Sequence, residues 1–179
     1  MPQVRFTRRF SMAHRLLADG ASRCAVPHGH NEFVTVTLAT DREMEFGRSN
    51  YVASFESLKK RWHGFIDGAV DHAFQVGSKD PLLDWFKAHE PHRLNQIMVF
   101  DGDPTTEAFA IALRRKIEAI LSAEGSAYRC IELALEETPT NTIVVGKTLS
   151  AAERAWMTGS WMDRPDLSIN DLTANDKLA

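Results

Sequence analysis

The sequence is short of several things, and each shortage narrows what the chain can be. It holds only two cysteines, Cys24 and Cys130, too few for a disulfide framework, so a reducing compartment is expected. Basic and acidic residues nearly cancel at 21 against 24. A formal net charge of -3 gives no general attraction to nucleic acid or to an anionic membrane surface. No stretch approaches the roughly 20 apolar residues of a spanning helix. The opening Met1-Pro2-Gln3-Val4-Arg5-Phe6 lacks the apolar run of a signal peptide. Internal repeats and low-complexity segments are missing too. What remains is a soluble, cytoplasmic, single-domain protein whose 44% hydrophobic residues can build a sizeable core.

Against this plain background, three of the seven histidines and one of the two thiols crowd into seventeen residues, His14 to His30. In Cys24-Ala25-Val26-Pro27-His28-Gly29-His30, the period of two in a strand sends His28 and His30 to one face, with Gly29 leaving backbone room between them. His14 on a neighbouring strand would complete a three-nitrogen platform with an open fourth position, as in a catalytic zinc site. Neutral imidazoles suit Zn2+ better than the oxygen-seeking magnesium or calcium. Cys24, in a polar loop close to such a cation, is a thiolate in waiting, either a fourth ligand or a base. Cys130 sits mid-strand and reads as a small apolar residue. His63, His89 and His92 read as surface or satisfied core residues.

Val4 to His14 and His28 to Thr40 read as strands, joined by a loop containing Gly20, Ser22 and Pro27; Val34, Val36 and Leu38 continue the row of His28 and His30. Ser54 caps a helix with Leu58, Trp62 and Phe65 at helical spacing, ending near Gly68. A long connection follows, with a short helix from Pro81 to His89 and a turn at Asp101-Gly102-Asp103-Pro104. Thr105 or Thr106 starts a second main helix that stops at Gly125. Tyr128 to Glu137 and Thr142 to Lys147 read as the last two strands. The order β-β-α-α-β-β predicts an α+β fold, a four-stranded antiparallel sheet with two helices on one face. Beyond Ser150, Trp156 and Trp161 suggest docking, and the last dozen residues look loose.

Three acids stand out. Asp71 beside His72 is what a helix end often carries, yet a carboxylate next to an imidazole is also how a proton relay is built. Glu137 continues the row Ile131, Leu133, Leu135, so it borders the core and faces a pocket or the rim. Glu107, in the first turn of its helix, is accounted for by the helix dipole.

Together these segments resemble the 6-pyruvoyl-tetrahydropterin synthase family. The residues that carry the likeness are Phe10-Ser11-Met12-Ala13-His14, Cys24 followed by His28-Gly29-His30-Asn31, Asp71-His72, Pro104-Thr105-Thr106-Glu107 and Glu137-Thr138. The resemblance spans roughly residues 4 to 147, and the three residues between Cys24 and His28 are similar to the bacterial 6-carboxytetrahydropterin synthase branch. It implies a tunnelling-fold domain over residues 1–149, with 150–179 as an extension, assembled through a barrel of sheets into a homohexamer of two trimers. It implies zinc on His14, His28 and His30, Cys24 as proton acceptor, Asp71 and His72 as its relay, and Glu137 anchoring the pterin ring. Thr105, Thr106 and Glu107 would join the substrate site.

The implied reaction is conversion of 7,8-dihydroneopterin triphosphate to 6-carboxy-5,6,7,8-tetrahydropterin with loss of acetaldehyde and triphosphate, in queuosine-type biosynthesis. The alternatives are triphosphate elimination to 6-pyruvoyl-tetrahydropterin and a catalytically silent zinc- and pterin-binding module. Glu32 departs from the family, standing where an aromatic residue commonly follows His-Gly-His-Asn.

Overall fold

Alternation of apolar and polar residues makes Val4–His14 (β1) and His28–Thr40 (β2) long antiparallel partners, in register from Val4 opposite Leu38 to His14 opposite His28. Tyr128–Thr138 (β5) pairs antiparallel with β2, and Asn141–Val145 (β6) with β5. A register shift opposite Thr37 and Leu38 leaves Ile131 out of the pairing. Cys130 therefore takes the core position that simple alternation gives to Ile131, beside Leu133 and Leu135. These coordinates are a computed structural model describing residues 2–18 and 22–172, so Gly20 lies outside the described residues.

The sheet is not the expected four antiparallel strands. It has six, in the order β4-β3-β1-β2-β5-β6, because the connection after His72 adds Phe74–Gly77 (β3) and Ile97–Phe100 (β4) to the outer edge of β1. Both are parallel additions: β3 pairs with the end of β1, and β4 with β3. Runs of four residues are too short to show a period, and parallel strands buried on both faces do not alternate, so the pattern that reveals β1 and β2 is absent here. Phe74, Val76, Ile97 and Val99 meet a helix over Pro81–His89 on one face. Met98 and Phe100 join the main core on the other.

That main core lies under the helices Phe55–Phe65 (α1), which is N-capped by Ser54, and Thr106–Ala123, which is N-capped by Thr105. With Pro81–His89 as α2 and Thr106–Ala123 as α3, the fold is a mixed sheet with α1 and α3 on one face and α2 on the other. Helix α1 runs on through a π-helical turn, Ile66–Val70, before Asp71 leaves it in extended conformation. Among the described residues no helix is long and apolar enough to cross a membrane.

The tail is firmly docked. Lys116 of α3 is fully buried, and its ammonium donates to the carbonyls of Trp161 (2.8 Å), Arg164 (2.8 Å) and Asp166 (3.1 Å). Burial pushes it down to about 8, with the Asp166 carboxylate opposing the shift. Neighbouring Arg115 clamps Asp163 through two nitrogens, at 2.9 and 2.5 Å. Of the dozen residues expected to be loose, Ile169 and Asn170 are buried instead. Ile169 accepts from Val99 N–H at 3.1 Å, which covers the β4 edge, and the Asn170 amide donates to the carbonyls of Leu94 and Ile97. Residues 173–179 lie outside the described residues.

Candidate metal centre

Three imidazoles meet where β1 ends and β2 begins. His14 lies opposite His28, and Met12 opposite His30, so the pleat brings the rings to one face. Ring centroids are 4.6 to 5.2 Å apart, and one ligating nitrogen from each lies within 4.8 Å of the others. The approach depends on Gly29, where a Cβ would meet the Met12 carbonyl oxygen at 2.6 Å. Any larger residue there would push apart the strands that carry the cluster.

Hydrogen bonds fix how two of the rings are protonated. His14 Nδ1 lies 3.0 Å from the Pro104 carbonyl and His28 Nδ1 lies 2.9 Å from the Val26 carbonyl. Carbonyl oxygens only accept, so each Nδ1 carries a proton, and the neutral tautomer that fits these bonds has its lone pair on Nε2. Those two Nε2 atoms face each other at 3.2 Å, and His30 Nε2 is buried without a partner. His14 is 3% exposed, and desolvation lowers its pKa despite the Pro104 bond, so sharing an extra proton is disfavoured. Two Nε2 lone pairs converging beside the unpartnered His30 Nε2 form a candidate cation site, and the carbonyls behind His14 and His28 orient those rings as ligand supports do. The three histidines can hold a metal ion.

Carboxyl groups line the next step inward. Glu137 Oε1 is 4.0 Å from His30 Nε2 and accepts a 2.6 Å hydrogen bond from the Thr106 hydroxyl. It therefore belongs to the same chain's cluster and stays about one-fifth exposed. Glu32, two residues beyond His30 on β2, is 1% exposed with Oε2 unpartnered. Burial, reinforced by the charge of Glu137, raises its pKa to about 8. The strand period puts Glu32 on the imidazole face, so its place was readable from the sequence; its burial was not.

Other expected residues fall elsewhere. Cys24 is half-buried in a short helical turn, Arg23–Ala25, tied to β1 through Leu16 N–H and the Cys24 carbonyl at 2.8 Å. The metal cluster comprises the three histidines without it, and among the described residues its sulfur makes no hydrogen bond. Asp71 and His72 sit beside Ser11, not at the imidazoles. Ser11 N–H donates to Asp71 Oδ1 (2.8 Å), His72 N–H donates to the Ser11 carbonyl (2.7 Å), and His72 Nδ1 is 3.0 Å from Asp71 Oδ2.

These bonds hold His72 at φ 67°, a left-handed conformation costly for a residue with a Cβ, and leave its ring 79% exposed. Thr105 caps α3, while Glu107 is exposed and is not brought to the imidazoles. Cys130 is 3% exposed with its thiol pushed up to about 11 by burial, which makes it unreactive. An apolar groove of about 590 Å³ runs past Pro27, His28, Gly29, Phe74, Trp85 and Phe86.

Residues 3–148 match the sequence profile described as 6-pyruvoyl tetrahydropterin synthase. The chain belongs to that family. Among its relatives, the 6-carboxy-5,6,7,8-tetrahydropterin synthase of Bacillus subtilis is 28% identical over 134 residues, 75% of this chain and 77% of that protein. A Halobacterium salinarum protein named "Probable 6-carboxy-5,6,7,8-tetrahydropterin synthase" is 30% identical over 75% of this chain and 79% of its own length. The solved 6-pyruvoyl tetrahydropterin synthase of Caenorhabditis elegans superposes with a TM-score of 0.53 at 26% identity, over 83% of this chain and 98% of that one. The family match ends just before the docked tail.

Proposed function

We propose that this member of the pterin synthase family is a zinc-dependent lyase acting on 7,8-dihydroneopterin triphosphate. Its products would be 6-carboxy-5,6,7,8-tetrahydropterin, acetaldehyde and triphosphate. The observation that carries this reading is the convergence of three imidazole nitrogens beside a carboxylate that a hydroxyl already orients. Relatives named as 6-carboxytetrahydropterin synthases support it. A zinc ion held by His14, His28 and His30 would supply Lewis-acid stabilisation of the substrate's side-chain hydroxyls as they lose protons.

The chain's own groups divide the remaining work. Glu137, with Oε1 held by Thr106, offers a carboxylate to parallel N–H groups on the pterin ring, which fixes orientation as well as adding energy. Cys24 takes a proton from a side-chain carbon. His72, with Nδ1 turned toward Asp71, keeps Nε2 free to give or take a proton. A ring 79% exposed and outside the three-imidazole group can serve a site completed by a second copy, so we assign Asp71 and His72 to a site shared across a subunit boundary in a homo-oligomer, a hexamer of two trimers. The test is incubation of zinc-loaded protein with dihydroneopterin triphosphate. Acetaldehyde and the 6-carboxy product are expected; 6-pyruvoyl-tetrahydropterin without acetaldehyde, or no turnover, would refute the reading.

A further inference from the structure

We propose that Glu32 is a specificity-determining residue that accepts a hydrogen bond from the exocyclic amino group of the bound ring and so discriminates 2-amino from 2-oxo heterocycles. The inference rests on the pterin reading above and deepens it. Glu32 follows His28 and His30 on β2 at the strand period of two, so all three leave the sheet on one face. The β2–β5 pairing runs from Thr40 opposite Tyr128 to Phe33 opposite Glu136. One step further along both strands come Glu32 and Glu137, on strands about 4.8 Å apart. Two carboxyl groups thus stand side by side at the inner end of the imidazole cluster.

The second observation is the missing partner. Glu32 is 1% exposed, and its Oε2 has no hydrogen bond. More than about nine in ten buried polar groups are satisfied, so an orphaned carboxyl oxygen calls for a donor. Phe10, opposite Glu32 on β1, is buried and apolar, and cannot supply one. Glu137 is itself an acceptor. Among the described residues no group of this chain reaches that oxygen, and a molecule in the site can supply the donor.

The geometry of an aminopyrimidine ring supplies it. Such a ring presents its ring N–H and one amino N–H in parallel, the pair a single carboxylate can accept, which is the role given to Glu137. The second amino hydrogen then points sideways, and a neighbouring carboxyl oxygen can collect it. A ring with oxygen in place of the amino group would set an acceptor against an acceptor. A site built to bond a substrate N–H rejects the analogue that lacks it, because its own buried group is left unpaired.

The experiment is titration calorimetry of zinc-loaded wild type, Glu32→Leu and Glu32→Gln with three probes: pterin, N2-methylpterin and lumazine, the 2-oxo counterpart of pterin. Zinc content is measured on the same samples. Wild type should bind pterin about a hundredfold or more tighter than lumazine, with N2-methylpterin weakened because one amino hydrogen is gone. Glu32→Leu should bring the pterin-to-lumazine ratio to within about tenfold. Glu32→Gln, which keeps an accepting oxygen, should retain most of the discrimination, and zinc should be unchanged throughout.

Pterin binding by wild type with the same ratio in Glu32→Leu overturns the inference and leaves the pterin reading standing. Binding of neither ring by wild type overturns both. Should Glu32→Leu not fold, equal wild-type affinities for pterin and N2-methylpterin overturn the inference from the ligand side.

Discussion

At the imidazole corner, His30 Nε2 and Glu32 Oε2 are buried with no partner, and His14 and His28 turn lone pairs toward each other. On the far side of α3, the buried Lys116 ammonium has three carbonyl oxygens, and the buried Asn170 amide donates to two more. Both regions pay the desolvation cost of burying polar atoms. Lys116 and Asn170 recover it within the chain, and those two groups act as structure. The corner does not, and its open valences are what a metal ion and a ring with N–H donors would fill. The contrast teaches that unpartnered polar atoms point to function where they gather around converging ligating nitrogens, not merely where one is buried.

Substitutions should therefore separate the two regions by what they change. The largest effect is expected from Cys24→Ala, in which single-turnover lyase rate falls by about 10²- to 10⁴-fold while zinc content and pterin affinity hold. Loss of zinc in that variant would make the thiol a ligand instead of a proton carrier. His28→Ala removes one of three metal donors, and competition with a chelator should show zinc affinity down by about a hundredfold or more; His89→Ala, whose ring stacks on Trp85, should leave it alone.

Glu137→Gln should weaken pterin binding by roughly a hundredfold, since an amide cannot accept two N–H bonds through both terminal atoms. Normal affinity by titration would move the anchor elsewhere. In the flank, Lys116→Ala should lower urea stability by about 3 kcal/mol by leaving buried carbonyls without donors, yet zinc per folded chain should not change. A folded Lys116→Ala protein that loses zinc would break the comparison. Smallest of all, Cys130→Ala should cost about 1 kcal/mol as a small cavity, with activity unaltered.

What the sequence determined about this protein is what repeats locally. The period of two sets β1 and β2 and puts His28, His30 and Glu32 on one face, and the period of 3.6 with its caps sets α1 and α3. Tertiary structure decided the rest. β3 and β4 exist because the β1 edge and the core beneath receive two four-residue runs with no period of their own. His72 takes a left-handed conformation because Ser11, sixty-one positions earlier, bonds its backbone.

The same holds for protonation. The His14 tautomer is set by the carbonyl of Pro104, ninety residues away in the chain, and the tail holds to the core through a lysine whose neighbours in sequence look like an ordinary helix. Patterns within one element survive in the one-dimensional sequence because side-chain direction repeats along the backbone. The identity of a hydrogen-bond partner across the fold does not, because it depends on which distant atoms packing brings within about 3 Å.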